Sequence, residues 1–154
     1  MELSSILRAD AVKVLGSTSS KKRLFQNLGE IAENAHGIKS GDVCAALQER
    51  ESLGPTGVGQ GIALPHARLS GLEGVTGMFV RLEKPMDFES VDRQPVDLIF
   101  ALLAPQEAGV EHLKALALIS RTMRDGSLCS KLRANSEAST LHTLLTDAPN
   151  VQAA

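Results

Sequence analysis

The chain predicts a single-domain α/β fold, one mixed β-sheet flanked by helices, and three observations carry that expectation. Two apolar runs rich in β-branched residues, Gly74–Leu82 and Val96–Ala104, have the length and composition of strands. Segments with helical spacing stand before and after them, an order that suits a sheet with helices packed on it. No repeat, low-complexity stretch or linker divides the 154 residues, a length one core can serve. The domain is expected over residues 1–149, with 150–154 as a loose tail.

Taken in order, Ser20 opens a helix in which Leu24, Phe25, Leu28, Ile31 and Ala32 recur at helical spacing. His36-Gly37 closes it, the glycine suiting a left-handed C-terminal residue. Ser40 and Asp42 are candidate caps for a second helix with Val43, Cys44 and Leu47 on its inner face. A glycine-rich segment and the two strands follow. The next helix spans about Gly109 to Arg124, with Leu113, Leu116, Ala117 and Ser120 expected inward. Ser127–Arg133 and Ser136–Thr146 read as shorter helices.

Composition removes several functional classes. A net charge of −2 gives no broad pull towards nucleic acid, and with no Trp or Tyr there is little to stack on bases. The apolar runs around Leu98–Ala104 and Leu116–Ile119 are far shorter than the roughly 20 residues that cross a bilayer. The start, Met-Glu, has no basic-then-apolar leader, so a cytoplasmic protein without membrane insertion is expected. Cys44 and Cys129 lack C-x-x-C spacing and sit at helical apolar positions, which reads as two buried free thiols. No metal is expected: Glu111-His112 does not form H-E-x-x-H, and no short His/Cys/Asp/Glu cluster supplies three ligands.

The most informative stretch is Gly57-Val58-Gly59-Gln60-Gly61-Ile62-Ala63-Leu64-Pro65-His66-Ala67-Arg68. Alternating glycines permit positive φ and close backbone approach, and Pro65 pushes Leu64 towards an extended conformation. His66 is thereby placed at the rim of a sheet, near bare amides, where a phosphoryl group can arrive. Two nucleotide templates fail on the same residues. Gly54-Pro55-Thr56-Gly57-Val58-Gly59 has the P-loop spacing, but Gln60 stands where the lysine belongs. The glycines run G-x-G-x-G out of a helix and into a strand, which is the wrong order for a dinucleotide fingerprint. The third possibility is that the histidine itself carries the phosphate, with no cofactor.

Glu49-Arg50-Glu51-Ser52-Leu53-Gly54, Thr56-Gly57-Val58-Gly59 and Ala63-Leu64-Pro65-His66 together resemble the IIA component of the phosphoenolpyruvate-dependent phosphotransferase system, in its fructose/mannitol/nitrogen-regulatory branch. The likeness continues through Gln94-Pro95-Val96-Asp97-Leu98-Ile99-Phe100-Ala101-Leu102-Leu103 and from His112 to Arg121, spanning Leu3 to about Asp147. Ala67 departs from it, since relatives often carry glycine there. The resemblance implies the type 2 IIA fold and a phosphohistidine relay rather than a stand-alone metabolic enzyme. It implies His66 as phosphoryl acceptor through Nε2, with Arg50 and His112 at the phosphoryl oxygens. The amides of Gly57, Gly59 and Gly61 are expected to reach phosphate, although turn geometry alone also calls for glycine.

The residues leave other readings of the same side chains. Arg50 follows Leu47 by three on the inward stripe, so it needs an anion, a C-terminal carbonyl to cap, or a path to solvent. His112 falls in the first turn of its helix, where the dipole favours anions but surface histidines also occur. His36 and His142 have no motif around them and read as structural. The E-R-E-S-L-G, Q-P-V-D-L-I-F-A-L-L and L-R-A-N-S-E segments, the Leu3-Ser4-Ser5-Ile6-Leu7 start and the lack of a fused IIB-like segment favour the nitrogen-regulatory branch. That branch implies an HPr/NPr-like donor and regulatory protein targets; the sugar branch implies a IIB domain as recipient. A binding module in which His66 is never phosphorylated is the alternative of a different class. A hydrolase lacks a serine or cysteine nucleophile in a recognisable turn.

Overall fold

The computed structural model describes the backbone of residues 1–153 and the side chains of residues 1–147. The two strands anticipated from sequence are its centre: β5 (Thr76–Met86) pairs antiparallel with β6 (Val96–Pro105), Phe79 opposite Phe100. Residues 98–104 of β6 are all buried, which is why they read as one apolar run rather than an alternation. Four strands too short to read from sequence complete a six-stranded mixed sheet: β1 (Val12–Leu15), β2 (Gly57–Gly59), β3 (Ile62–Ala63) and β4 (His66–Leu69). The order is β1-β5-β6-β3-β2, with β4 also paired to β6; β1 runs parallel to β5, β3 and β4 run parallel to β6, and β2 pairs antiparallel with β3.

Among the described residues five α-helices surround this sheet. α1 (Lys21–His36) starts on the Ser20 hydroxyl, which accepts the Arg23 N–H at 3.1 Å, and ends at Gly37 with φ 72°. α2 (Ser40–Ser52) follows, but Ser40 and Asp42 do not cap it. Lys39 holds the cap position, and the Ser40 N–H goes to the Glu33 carboxylate at 3.1 Å because α1 and α2 cross there in near contact. A Cβ on Gly29 would stand 2.5 Å from the Ser40 carbonyl oxygen. α1 packs on β5, and α2 on β4. α3 (Gly109–Met123) lies on β6, followed by α4 (Gly126–Arg133), capped by the Asp125 carboxylate, and α5 (Ala138–Ala153), which packs on β1; α4 packs on α3 and α5.

The inward face of α3 is not the expected one. His112, Ala115, Leu118, Ile119, Thr122 and Met123 are buried, whereas Ala117 and Leu113 face out, Leu113 at 66% exposure. Apolar residues surround most of this helix, so spacing alone could not choose the face. All four phenylalanines are fully buried, Phe25 edge-on to Phe88 and Phe79 edge-on to Phe100. Both cysteines are free thiols; Cys129 is buried as expected, while Cys44 is only half-buried. Nε2 of His36 lies 3.3 Å from the Gly77 carbonyl oxygen and that of His142 lies 3.0 Å from the Leu7 carbonyl oxygen, so each ties a helix to its surroundings. Ala154 and the side chains of residues 148–153 lie outside the described residues; of the expected loose tail over 150–154, the backbone of 150–153 continues α5.

Candidate functional site

β3 and β4 follow one another along the same edge of β6, Ala63 opposite Ile99 and His66 opposite Leu102, with a break at Leu64-Pro65. At that break the Leu64 N–H goes to the Thr56 carbonyl and the Leu102 N–H to the Pro65 carbonyl, both at 2.9 Å. The Leu64 carbonyl oxygen instead faces the ring of His66, 2.9 Å from Nδ1. A carbonyl only accepts, so Nδ1 donates and Nε2 is left as the unprotonated nitrogen of the neutral ring.

His66 lies half-buried in an open cleft of about 380 Å³, lined also by Arg50, Leu53, Arg68, Gln106 and His112. Three elements meet there: the last turn of α2, the first residues of β4 and the first turn of α3. Arg50, from the last turn of α2, donates from Nη1 to the Gly54 carbonyl at 2.9 Å. That carbonyl lies beyond the end of α2, so Arg50 ties down the loop after the helix rather than the helix's own last carbonyls, and the bond holds the guanidinium at the cleft. The rings of His66 and His112 stand edge to face with centroids 5.8 Å apart.

Burial is the main cause that lowers the pKa of His66, with the Arg50 charge adding to it and the Leu64 hydrogen bond and Glu51 opposing. His112, 8% exposed, is lowered by burial first, then by His66 and Arg68. Starting from about 6.5, both shifts keep the two imidazoles neutral at pH 7. Nδ1 of His112 accepts from Nε of Arg68 at 3.2 Å, and its Nε2 is buried without a partner among the described residues. Arg68 went unassigned in the sequence reading. The available signal was its place two residues after His66, which on a strand puts both on one face.

The three glycines stand elsewhere, and none lines the cleft. Gly57 and Gly59 form β2, paired with β3, and a Cβ on Gly57 would collide with Ser90. Gln60 and Gly61 make the hairpin turn with φ 58° and 81°, the two positive values a type I′ turn demands. Asp92 accepts the Gln60 N–H at 2.8 Å, and Arg133, forked onto Asp97, donates to the Gln60 carbonyl at 2.8 Å. The glycines satisfy turn geometry and close packing. Among the described residues no group of three His, Cys, Asp or Glu side chains is placed to hold a metal ion. No helix of the described residues is long and apolar enough to cross a membrane.

Comparison with known proteins shows the family. The family model described as phosphoenolpyruvate-dependent sugar phosphotransferase system, EIIA 2, matches residues 5–148. A nitrogen regulatory protein of Bradyrhizobium diazoefficiens is 43% identical, across 94% of this chain and 95% of that relative. Another, from Escherichia coli, is 38% identical across 96% and 91%. The crystal structure of nitrogen regulatory protein IIA-Ntr from Neisseria meningitidis superposes with a TM-score of 0.84 at 38% identity, covering 94% of this chain and 99% of that one.

Proposed function

The chain belongs to the EIIA 2 family of the phosphoenolpyruvate-dependent sugar phosphotransferase system, and from that premise we propose that it is a nitrogen-regulatory phosphocarrier that accepts phosphate on His66. The observation that carries this reading is the bond from Nδ1 of His66 to the Leu64 carbonyl, which leaves Nε2 as the available lone pair. A phosphohistidine donor of the HPr/NPr type docks over the cleft. Nε2 attacks the phosphorus in line, the new N–P bond forms as the donor's breaks, and the released electron pair returns to the donor ring. Attack leaves Nδ1 of His66 still protonated. The Leu64 carbonyl then stabilises the positive charge that appears on the ring, which keeps the phosphoryl group transferable.

Arg50 offers its guanidinium, and His112 a ring N–H, to the oxygens over which charge spreads in transfer. A positive cleft fits a dianion, and no metal or nucleotide enters the step. Phosphorylation adds about −1.5 to −2 charge at this face, enough to change which partners bind. The likeness to nitrogen regulatory proteins supports a regulatory role over transfer to a sugar IIB domain. Incubation with phosphoenolpyruvate, enzyme I and either an NPr-like or a sugar-type HPr donor tests both points. One acid-labile phosphate, lost in His66→Ala and gained faster from the NPr-like donor, is expected. Phosphate retained by His66→Ala would remove the assignment, and faster transfer from the sugar-type donor would move the chain to the sugar branch.

A further inference from the structure

We propose that Arg68 is a positioning residue of the phosphoryl site, holding His112 with its proton on Nε2 so that it meets the phosphoryl group as a hydrogen-bond donor. This rests on the reading of His66 as the acceptor. A guanidinium does not lose its proton in a protein, so Nε of Arg68 can only donate. With Nε 3.2 Å from Nδ1 of His112, that ring nitrogen must present its lone pair, and the proton of the neutral ring sits on Nε2. The other two states of the ring, the Nδ1–H tautomer and the imidazolium, both set an N–H against the Arg68 N–H.

The guanidinium is itself located from two sides. Its strand position is fixed by the register of β4 on β6, Arg68 opposite Ala104, two residues beyond His66. Nη1 donates to the Gln106 carbonyl at 3.4 Å, in the connection that leads into α3. The strand that carries the nucleophile therefore also orients the second histidine, across 44 residues of sequence. The ring nitrogen left over is Nε2, buried and unpartnered among the described residues. A buried N–H without an acceptor is a cost the fold carries. A phosphoryl oxygen on His66, whose ring centroid is 5.8 Å away, supplies the acceptor.

The test uses the whole chain. Nitrogen-15 spectra of the imidazole rings, recorded on unphosphorylated protein at pH 8, should show His112 as a single Nε2–H tautomer. Arg68→Met, close in size but without a donor, should show a mixture of tautomers and accept phosphate about tenfold more slowly, the lower end of the loss when a ligand histidine at a metal site loses its orienting partner. Arg68→Lys should recover part of the rate. In a His112→Ala background, Arg68→Met should cost nothing further. An Nδ1–H tautomer in the parent, unchanged tautomer and rate in Arg68→Met, or a full additional loss in the His112→Ala background would each overturn the assignment. The last would mean direct contact with phosphate. A parent that never takes phosphate would instead bring down the phosphocarrier reading, and with it the role at that site, whatever the tautomer.

Discussion

Gly61→Ala separates what the glycine hairpin does from what it was expected to do. The residue has φ 81°, a conformation that costs an L-amino acid about 1–2 kcal/mol. Its new Cβ would also lie 2.5 Å from Nη2 of Arg133 and 2.9 Å from Oδ1 of Asp97, so the forked pair must open. That pair is 36% and 19% exposed, which limits it to about 1 kcal/mol after solvent screening. The bond from Nη2 to the Gln60 carbonyl contributes about 1 kcal/mol more. The loss comes to about 3–4 kcal/mol, or roughly 6–16 °C in Tm for a chain of this size. Gly71→Ala is the control: its φ is 85° and a Cβ there meets nothing within 4 Å, leaving only the backbone cost. Chemical denaturation of both variants, and of Gly61→Ala in an Arg133→Ala background, measures the difference. In that background Gly61→Ala should cost no more than Gly71→Ala. Phosphate acceptance at 20 °C should match the parent, because Gly61 does not line the cleft. An unmoved Tm together with a tenfold slower transfer would refute the reasoning and return the glycines to the phosphate.

Arg50→Ala and His112→Ala keep the nucleophile and lose contacts to the charged oxygens, so both should still label on His66 but about 10²–10³ more slowly, towards the lower figure in so open a cleft. Arg50→Lys should recover only part, and His36→Ala and His142→Ala should transfer like the parent; rapid-quench labelling reads all five, and parental rates in Arg50→Ala and His112→Ala would take both residues out of the site. Stability should fall as pH drops through about 6.5: folded His66 and His112 have lowered pKa values, so the unfolded chain takes up protons first. Above that pH both states are neutral at these rings and the contribution is fully present. Urea midpoints at pH 7.5 and 5.5 should differ more for the parent than for the His66→Ala/His112→Ala double variant.

Where sequence reading succeeded, a local signal coincided with the tertiary outcome. Ser20 and Gly37 bound α1 because capping is settled within a few residues. β6 was visible because a strand buried on both faces must be apolar, and β5 because its stretch from Gly77 to Val80 is buried in the same way. His66, Arg50 and His112 were legible through their motifs, and the structure brings all three to one cleft. Where it failed, the deciding atoms were far away in sequence. Three alternating glycines say that the backbone needs freedom, but only Ser90, Asp92, Asp97 and Arg133 decide that a hairpin uses it. α3 offers apolar residues around most of its circumference, and the choice of face waits for β6. Ser40 is already the first residue of α2, which starts one position earlier than a Ser40 cap requires and leaves Lys39 at the cap. Arg68 had its partner on another element, reached only once β4 lies in register on β6.

The acceptor that orients His66 is a main-chain oxygen, and no amino-acid substitution deletes a carbonyl. Drift at position 64 changes the side chain and leaves that oxygen in place as long as the break before β4 survives. His112 is oriented by a side chain, so a single codon can retune it. On the proposed reading the two rings thus differ in heritable risk: which nitrogen of His66 attacks is insulated from mutation at position 64, while its speed stays open to selection at position 68. Divergence in transfer rate between relatives should accordingly collect around the second histidine and spare the first.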